Sequence, residues 1–209
     1  MSGAVSWIAP LFPDEEVPHI LHGLQRCLTG LRKEHDKEHE NPITKRLFKA
    51  LRQDAQLRDR PVHADLEVYE DGGDTGIEGR LDIRFLYFGH GRNPLPCLAI
   101  EAKRLHVAFP SGWKSLVSEY VTGHQGMMCF ITGRYSGQAQ CGVMMGFVFD
   151  GQTAKARAAV SASIASNAVT LNSRLPGKLD SAPAFAGVWQ SLHSRGTHAL
   201  TIYHLFQSV

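Results

Sequence analysis

Two stretches decide the fold: Gly79-Arg80-Leu81-Asp82-Ile83-Arg84-Phe85 and Cys97-Leu98-Ala99-Ile100-Glu101-Ala102-Lys103-Arg104. In the first and its continuation, Leu81, Ile83, Phe85 and Tyr87 alternate with Asp82, Arg84, Leu86 and Phe88, the two-residue period of a strand. Asp82 therefore lies on the face opposite the first apolar row. In the second, Leu98, Ile100 and Ala102 take one face while Glu101 and Lys103 share the other. The chain thus sets a carboxylate and an amine side by side at the end of an apolar strand, with another carboxylate on the strand before it.

Working outward, residues 62–69, 80–88 and 95–103 read as three consecutive antiparallel strands. They are separated by the turn formers Asp71-Gly72-Gly73-Asp74 and Gly89-His90-Gly91-Arg92-Asn93-Pro94. Upstream, Val17, Ile20, Leu21, Leu24, Leu28 and Leu31 recur at helical spacing and predict a helix over 14–35, with Asp14, Glu15, Glu16 and Pro18 suiting its first turn. A second helix starts at Asn41-Pro42 and buries Ile43, Leu47, Phe48 and Leu51, while Lys45, Arg46, Lys49 and Arg52 line its other face.

Downstream, a helix is predicted from Ser111, with Trp113, Leu116, Val117, Tyr120 and Val121 on one side and Gly123 as its stop. Residues 127–131 are too short to assign. A buried strand over 142–149, an Ala-rich helix over 153–169 and terminal strands over 186–192 and 198–206 complete the pattern. The expected architecture is one α/β (α+β) domain over 1–209, a mixed sheet flanked by helices. Its core spans about 40–149, with an N-terminal helix at 14–35 and a C-terminal helix and hairpin at 150–209.

Composition excludes some classes. A chain of 209 residues that is 43% hydrophobic, with a formal net charge of +2, buries a real core and does not resemble a disordered tail. Cys27, Cys97, Cys129 and Cys141 form no C-x-x-C pair, no basic and apolar leader precedes them, and no window offers the about 18 apolar residues of a membrane span. A soluble cytoplasmic protein with reduced thiols is expected. The balance of 22 basic against 20 acidic residues hides a segregation. Residues 41–60 carry six basic and two acidic side chains, whereas 61–90, around Asp82, carry two and seven. Basic segments flanking an acidic one suit carboxylates that gather a cation beside cations that hold a polyanion.

An Asp from one strand beside a Glu and a Lys from the next is what phosphodiester hydrolysis requires. Two carboxylates can hold Mg²⁺, which keeps several waters, and an ammonium can orient or help deprotonate the attacking water and stabilise phosphate charge. On Asp82 and Glu101-Ala102-Lys103, preceded by a helix that opens with a glutamate, the chain resembles the PD-(D/E)XK nuclease superfamily, the restriction-endonuclease-like fold. It departs from the motif in having Leu81 rather than proline before Asp82.

The resemblance implies a mixed sheet flanked by helices, with Asp82 and Glu101 as ligands of Mg²⁺, for which Mn²⁺ substitutes. It makes Lys103 the catalytic lysine and Glu40 a further catalytic and metal residue, with Glu38 as the fallback. Lys45, Lys49, Arg52 and Arg104 are the nearest candidates for phosphate contacts. The expected activity is cleavage of nucleic acid, DNA rather than RNA, as a homodimer or with a separate motor or recognition subunit, in the manner of a restriction or anti-phage effector.

Other readings stay open. Asp82 and Glu101 can be strand-end carboxylates in ordinary surface ion pairs with Arg84 and Lys103. The fold can also serve as a nucleic-acid-binding or scaffolding module without chemistry. Finally, His35-Asp36-Lys37-Glu38-His39 has the H-x-x-E-H spacing of a zinc hydrolase, with Glu119 a distant third ligand.

Overall fold

The alternation at Asp82 and Glu101 builds the middle of a seven-stranded mixed sheet flanked by helices in the computed structural model. Residues 11–70, 79–89, 95–135 and 140–209 are described. The predicted turn formers at 71–74 and 90–94, residues 136–139 and the chain's first ten residues lie outside them. In chain order, α1 (Glu16–Thr29), α2 (Glu40–Gln53) and the single turn α3 (Ala55–Arg58) precede β1 (Val62–Glu70), β2 (Gly79–Tyr87) and β3 (Cys97–Leu105). A small hairpin, β4 (Val107–Phe109) and β5 (Gly112–Lys114), leads to α4 (Val117–Val121) and α5 (Met128–Ile131). Then come β6 (Cys141–Val148), α6 (Thr153–Ser166), β7 (Asp180–Ser181), β8 (Trp189–Arg195) and β9 (His198–Ser208).

The main sheet runs in the order β1-β2-β3-β6-β9-β8-β7. The first three strands form the expected antiparallel meander, β6 lies parallel to β3, and β9 parallel to β6. Two apolar layers follow the alternation. Leu98, Ile100, Ala102, Val143 and Met145 pack with Ile20, Leu24, Ile43 and Leu47 of α1 and α2. Ala99, Leu105, Met144 and Val148 pack with Tyr120, Phe130, Val160 and Ile164 on the far side. Glu101 and Lys103 are therefore directed into the second layer. Gly142 lets that layer close: a Cβ there would fall 2.3 Å from the ring of Phe130.

Four predicted elements differ in extent. The helix over 14–35 ends at Thr29, and 30–39 is irregular. That segment is tied down by Arg46, which binds the Arg32 carbonyl and the carboxylates of Glu34 and Glu38. The helix predicted from Ser111 is shorter and later, Val117–Val121. Trp113 instead lies on β5 and is 53% exposed, because Gly112, at φ +112°, turns the chain back on itself. The terminal strands are longer than predicted or displaced, and β8 begins at Trp189 where the prediction put 186.

Among the described residues, no helix is long and apolar enough to cross a membrane. On the two terminal strands, His193 and His204 are fully buried, while His198 is exposed.

Candidate functional site

β2 and β3 stop pairing after Ile83 and Ile100, whereas β3 continues beside β6 as far as Leu105. The edge of β3 that faced β2 is thereby opened at its C-terminal end, and its backbone N–H groups need other acceptors. Carboxylates supply them. Asp82 Oδ2 accepts from the Ala102 N–H at 2.8 Å, and Glu40 Oε2 stands 3.4 Å from the Arg104 N–H. The divergence of two strands is what draws a carboxylate from β2 and another from the start of α2 onto β3.

Lys103 ties these groups together. Its ammonium donates to Glu101 Oε1 at 2.5 Å and to Glu40 Oε1 at 3.2 Å. Glu101 is 2% exposed and Lys103 8%. They are no surface pair, and Arg84 reaches across to Asp65 on β1. Burial and the charge of Asp82 push the Glu101 carboxyl up to about 8, against the pull of Lys103. Burial also acts to lower the Lys103 pKa, but the charges of Glu101, Glu40 and Asp82 outweigh it and hold the ammonium above its ordinary value. Glu101 Oε2 is buried and meets no donor in hydrogen-bonding geometry. Beneath the pair, Tyr135 is buried, and burial together with the Glu101 charge holds its phenol far above the ordinary range.

These residues line a cleft of about 550 Å³ with His39, Asn41, Arg104, Phe109, Leu116, Glu119 and Gln125. Asp82, Glu101, Lys103 and Glu40 are thus brought together, and Arg104 stands with them, one N–H bonded to the Glu38 carbonyl at 3.0 Å. Lys45, Lys49 and Arg52 instead line a separate depression with Phe48 and Leu66. Glu38 is engaged elsewhere: both its oxygens bind Arg46, at 2.6 and 2.9 Å, which holds its pKa low, and Oε2 also accepts the Glu34 N–H. Of the two glutamates, Glu40 is therefore the one at the cleft.

His35 and His39 do not share a helix face, since α1 ends six residues before His35 and His39 is the cap of α2. Glu119 and Gln125 are members of the cleft that the sequence did not assign to the carboxylate site. They sit on and after the short α4, where the helix prediction began too early. Among the described residues, no three Asp, Glu, His or Cys side chains converge closely enough to hold a metal ion as they stand, and Lys103 Nζ lies between Glu101 and Glu40.

A cleft of similar size, about 570 Å³, lies beside Asp14, Phe185, His198 and Tyr203. Among its described lining residues it offers one carboxylate, and burial pushes its Cys141 thiol up to about 12, so that thiol is no nucleophile at neutral pH. Chemistry selects the first cleft. No protein-family model matches the chain, and no curated protein or solved structure does so.

Proposed function

We propose that the chain is a divalent-cation-dependent nuclease of restriction-endonuclease-like fold that hydrolyses phosphodiester bonds, with DNA as the expected substrate. The observation that carries this reading is the buried Glu101–Lys103 pair, flanked by Asp82 and Glu40, at the open end of a strand. The order of elements supports the fold: a helix, an antiparallel three-strand meander, a helix, then a strand parallel to the third.

Asp82 and Glu101 are the residues that would hold Mg²⁺ or Mn²⁺, with Glu40 beside them. The donor set fits a hard cation. Glu101 Oε2 is a buried oxygen lacking a donor, Glu101 and Glu40 share one ammonium with the Asp82 charge nearby, and Mg²⁺ needs only one or two carboxylates because it keeps its waters. When bound, such an ion supplies an acidified water and a Lewis acid for the phosphate.

The protein's own groups do the rest. Lys103, charged at neutral pH, donates hydrogen bonds that orient the attacking water and stabilise charge on the phosphate oxygens. Glu101 fixes the direction of that ammonium. Asp82, by accepting the Ala102 N–H, holds the catalytic end of β3 where β2 no longer supports it. Arg104, at the rim, is suited to a neighbouring phosphate.

A second reading has one observation in its favour: Lys103 already neutralises both Glu101 and Glu40, as in a binding module that performs no chemistry. Incubation with circular and linear, single- and double-stranded substrates, in Mg²⁺ and in chelator, separates the two. Cation-dependent cleavage that Lys103→Ala abolishes is expected, and a Lys103→Ala protein that cuts as fast as wild type overturns the assignment. Calorimetry that detects neither Mg²⁺ nor Mn²⁺ binding favours the module.

A further inference from the structure

Beside the cleft, the β4–β5 hairpin carries exposed aromatic and cationic groups that the hydrolytic site does not use. Trp113, 53% exposed, has the Lys155 ammonium 5.6 Å from its ring centre. Lys114 lies 5.3 Å from the ring of Phe109, and Arg104 lies 5.8 Å from Phe109 and 5.9 Å from Phe149. Phe109 and Arg104 also line the cleft, so the series Lys114–Phe109–Arg104 runs from one face of the hairpin to the carboxylates, while Trp113, paired with Ala108, stands with Lys155 on the other face. From 102 to 118 the sequence holds Lys103, Arg104, His106 and Lys114 and no acidic residue.

The hairpin is also firmly aimed. Its base is closed by the His106 N–H to the Ser115 carbonyl at 3.0 Å, and the buried His106 ring is held by Asp150 at 3.0 Å. His106 and Leu116, at φ 58° and 55°, bracket it in the left-handed region. Non-glycine residues stay in that region only where their surroundings over-determine it.

We propose that this hairpin is a single-strand-binding arm: Trp113 stacks on an unpaired base while Arg104, Lys114 and Lys155 contact the phosphates that lead into the cleft. The inference rests on the nuclease reading, which makes the cleft the place where a phosphodiester lies, and it adds the substrate class. The charge is complementary to a polyanion. The exposed half of the indole, which rests against the His106 ring at 5.2 Å, needs a base whose face is free, and a duplex offers none because each base is covered by its neighbours. Aromatic stacking without base-edge contacts tolerates any sequence, so little base preference is expected.

The test is fluorescence anisotropy with fluorescein-labelled 20-nucleotide oligo(dT) and a 20-base-pair duplex in EDTA, where cleavage is suppressed. Expected are tighter binding of the single strand, an about tenfold weaker Kd for Trp113→Ala, and near-wild-type binding for Trp113→Phe. Trp113 is on the surface, so folding of both variants is checked by their melting curves. Intrinsic tryptophan fluorescence should be quenched by oligo(dT) in wild type and not in Trp113→Phe. Lys114→Ala with Lys155→Ala should flatten the slope of log K against log salt by about 1.4, at about 0.7 per lost phosphate contact.

Duplex binding as tight as single-strand binding, or a Trp113→Ala protein that binds oligo(dT) like wild type, overturns the arm. If cation-dependent cleavage persists in that case, the nuclease reading survives alone. Trp113-dependent binding with no cleavage of any substrate instead sinks the nuclease reading and leaves the arm.

Discussion

Lys103 and Glu101, two residues apart on β3, form an ion pair at 2.5 Å whose second carboxylate oxygen is buried without a donor. The proposed chemistry and the stability of the fold meet at this pair, so a variant that removes one partner reports on both. A buried charge left unpaired is costly, but a carboxyl that can take a proton escapes part of that cost.

Lys103→Met keeps the volume and deletes the ammonium. On the proposed function, cleavage should fall by at least about 100-fold, the scale set by loss of one preorganised donor. The metal-free variant should be little destabilised at pH 6, where Glu101 is protonated. It should lose more at pH 8.5, where a bare carboxylate must stay buried. Melting curves at the two pH values, alongside single-turnover cleavage, check this, and equal destabilisation at both would mean that Glu101 does not take up the proton.

The wild-type protein in chelator should lose stability between pH 6.5 and 8. Glu101 has its pKa raised from 4.5 to about 8, so over that range the folded state holds a proton that the unfolded state has released. Stability therefore falls as pH rises. Below pH 6.5 the buried histidines act in the opposite sense. Burial depresses the pKa values of both His193 and His204, so acid protonates the unfolded chain first and stability falls as pH falls. The window above 6.5 thus isolates the carboxyl. Saturating Mg²⁺ or Mn²⁺ should flatten that slope by keeping Glu101 ionised, with proton release visible by calorimetry in buffers of different ionisation enthalpy.

Asp82 has a backbone role and a proposed catalytic role, and two substitutions separate them. Asp82→Asn retains an oxygen for the Ala102 N–H and should fold like wild type while losing cleavage. Asp82→Ala leaves that N–H without its acceptor and should cost about 1–2 kcal/mol in addition. Urea titration of both variants reads the difference, and indistinguishable midpoints would show that the 2.8 Å bond contributes nothing.

Glu38 and Glu40 make a similar contrast. Glu40→Gln should impair cleavage with an unchanged melting temperature, since its side chain faces the cleft. Glu38→Ala should cost about 2 kcal/mol, because the bidentate Arg46 contact that fastens residues 31–39 is lost, and should affect cleavage less. The reverse pattern would make Glu38 the site residue.

The placement of Glu101 beside Lys103 was legible because it rests on a two-residue period: knowing that Leu98 and Ile100 are buried is enough to put the two together. The opening between β2 and β3 was not legible, since register beyond the last pair depends on both strands at once. The helix predicted from Ser111 failed for a related reason. Trp113, Leu116, Val117 and Tyr120 fit a helical spacing, yet Gly112 reverses the chain and only the last three belong to the apolar layers. Glu119 and Gln125 were consequently not assigned to the carboxylate site. Lys45, Lys49 and Arg52 share a helix face as read, but a single sequence does not say which face of α2 looks toward β3.

Away from the cleft, a buried chain of hydrogen bonds links α4 to the terminal hairpin. His193 Nδ1 must donate to the Leu171 carbonyl at 2.9 Å, which leaves its Nε2 to accept from the Ser191 hydroxyl at 2.7 Å. Ser191 Oγ then accepts from His204 Nε2 at 2.9 Å, and His204 Nδ1 accepts from the Tyr120 hydroxyl at 3.0 Å. One carbonyl therefore fixes every proton in the chain, with both imidazoles neutral. Ser191→Ala orphans a donor and an acceptor together and should destabilise by about 3 kcal/mol. Tyr120→Phe orphans only His204 Nδ1 and should cost about 1–2 kcal/mol. Neither should change the cleavage rate per folded molecule. If Tyr120→Phe proves the more damaging of the two, the proton order runs otherwise and Ser191 is not its hub.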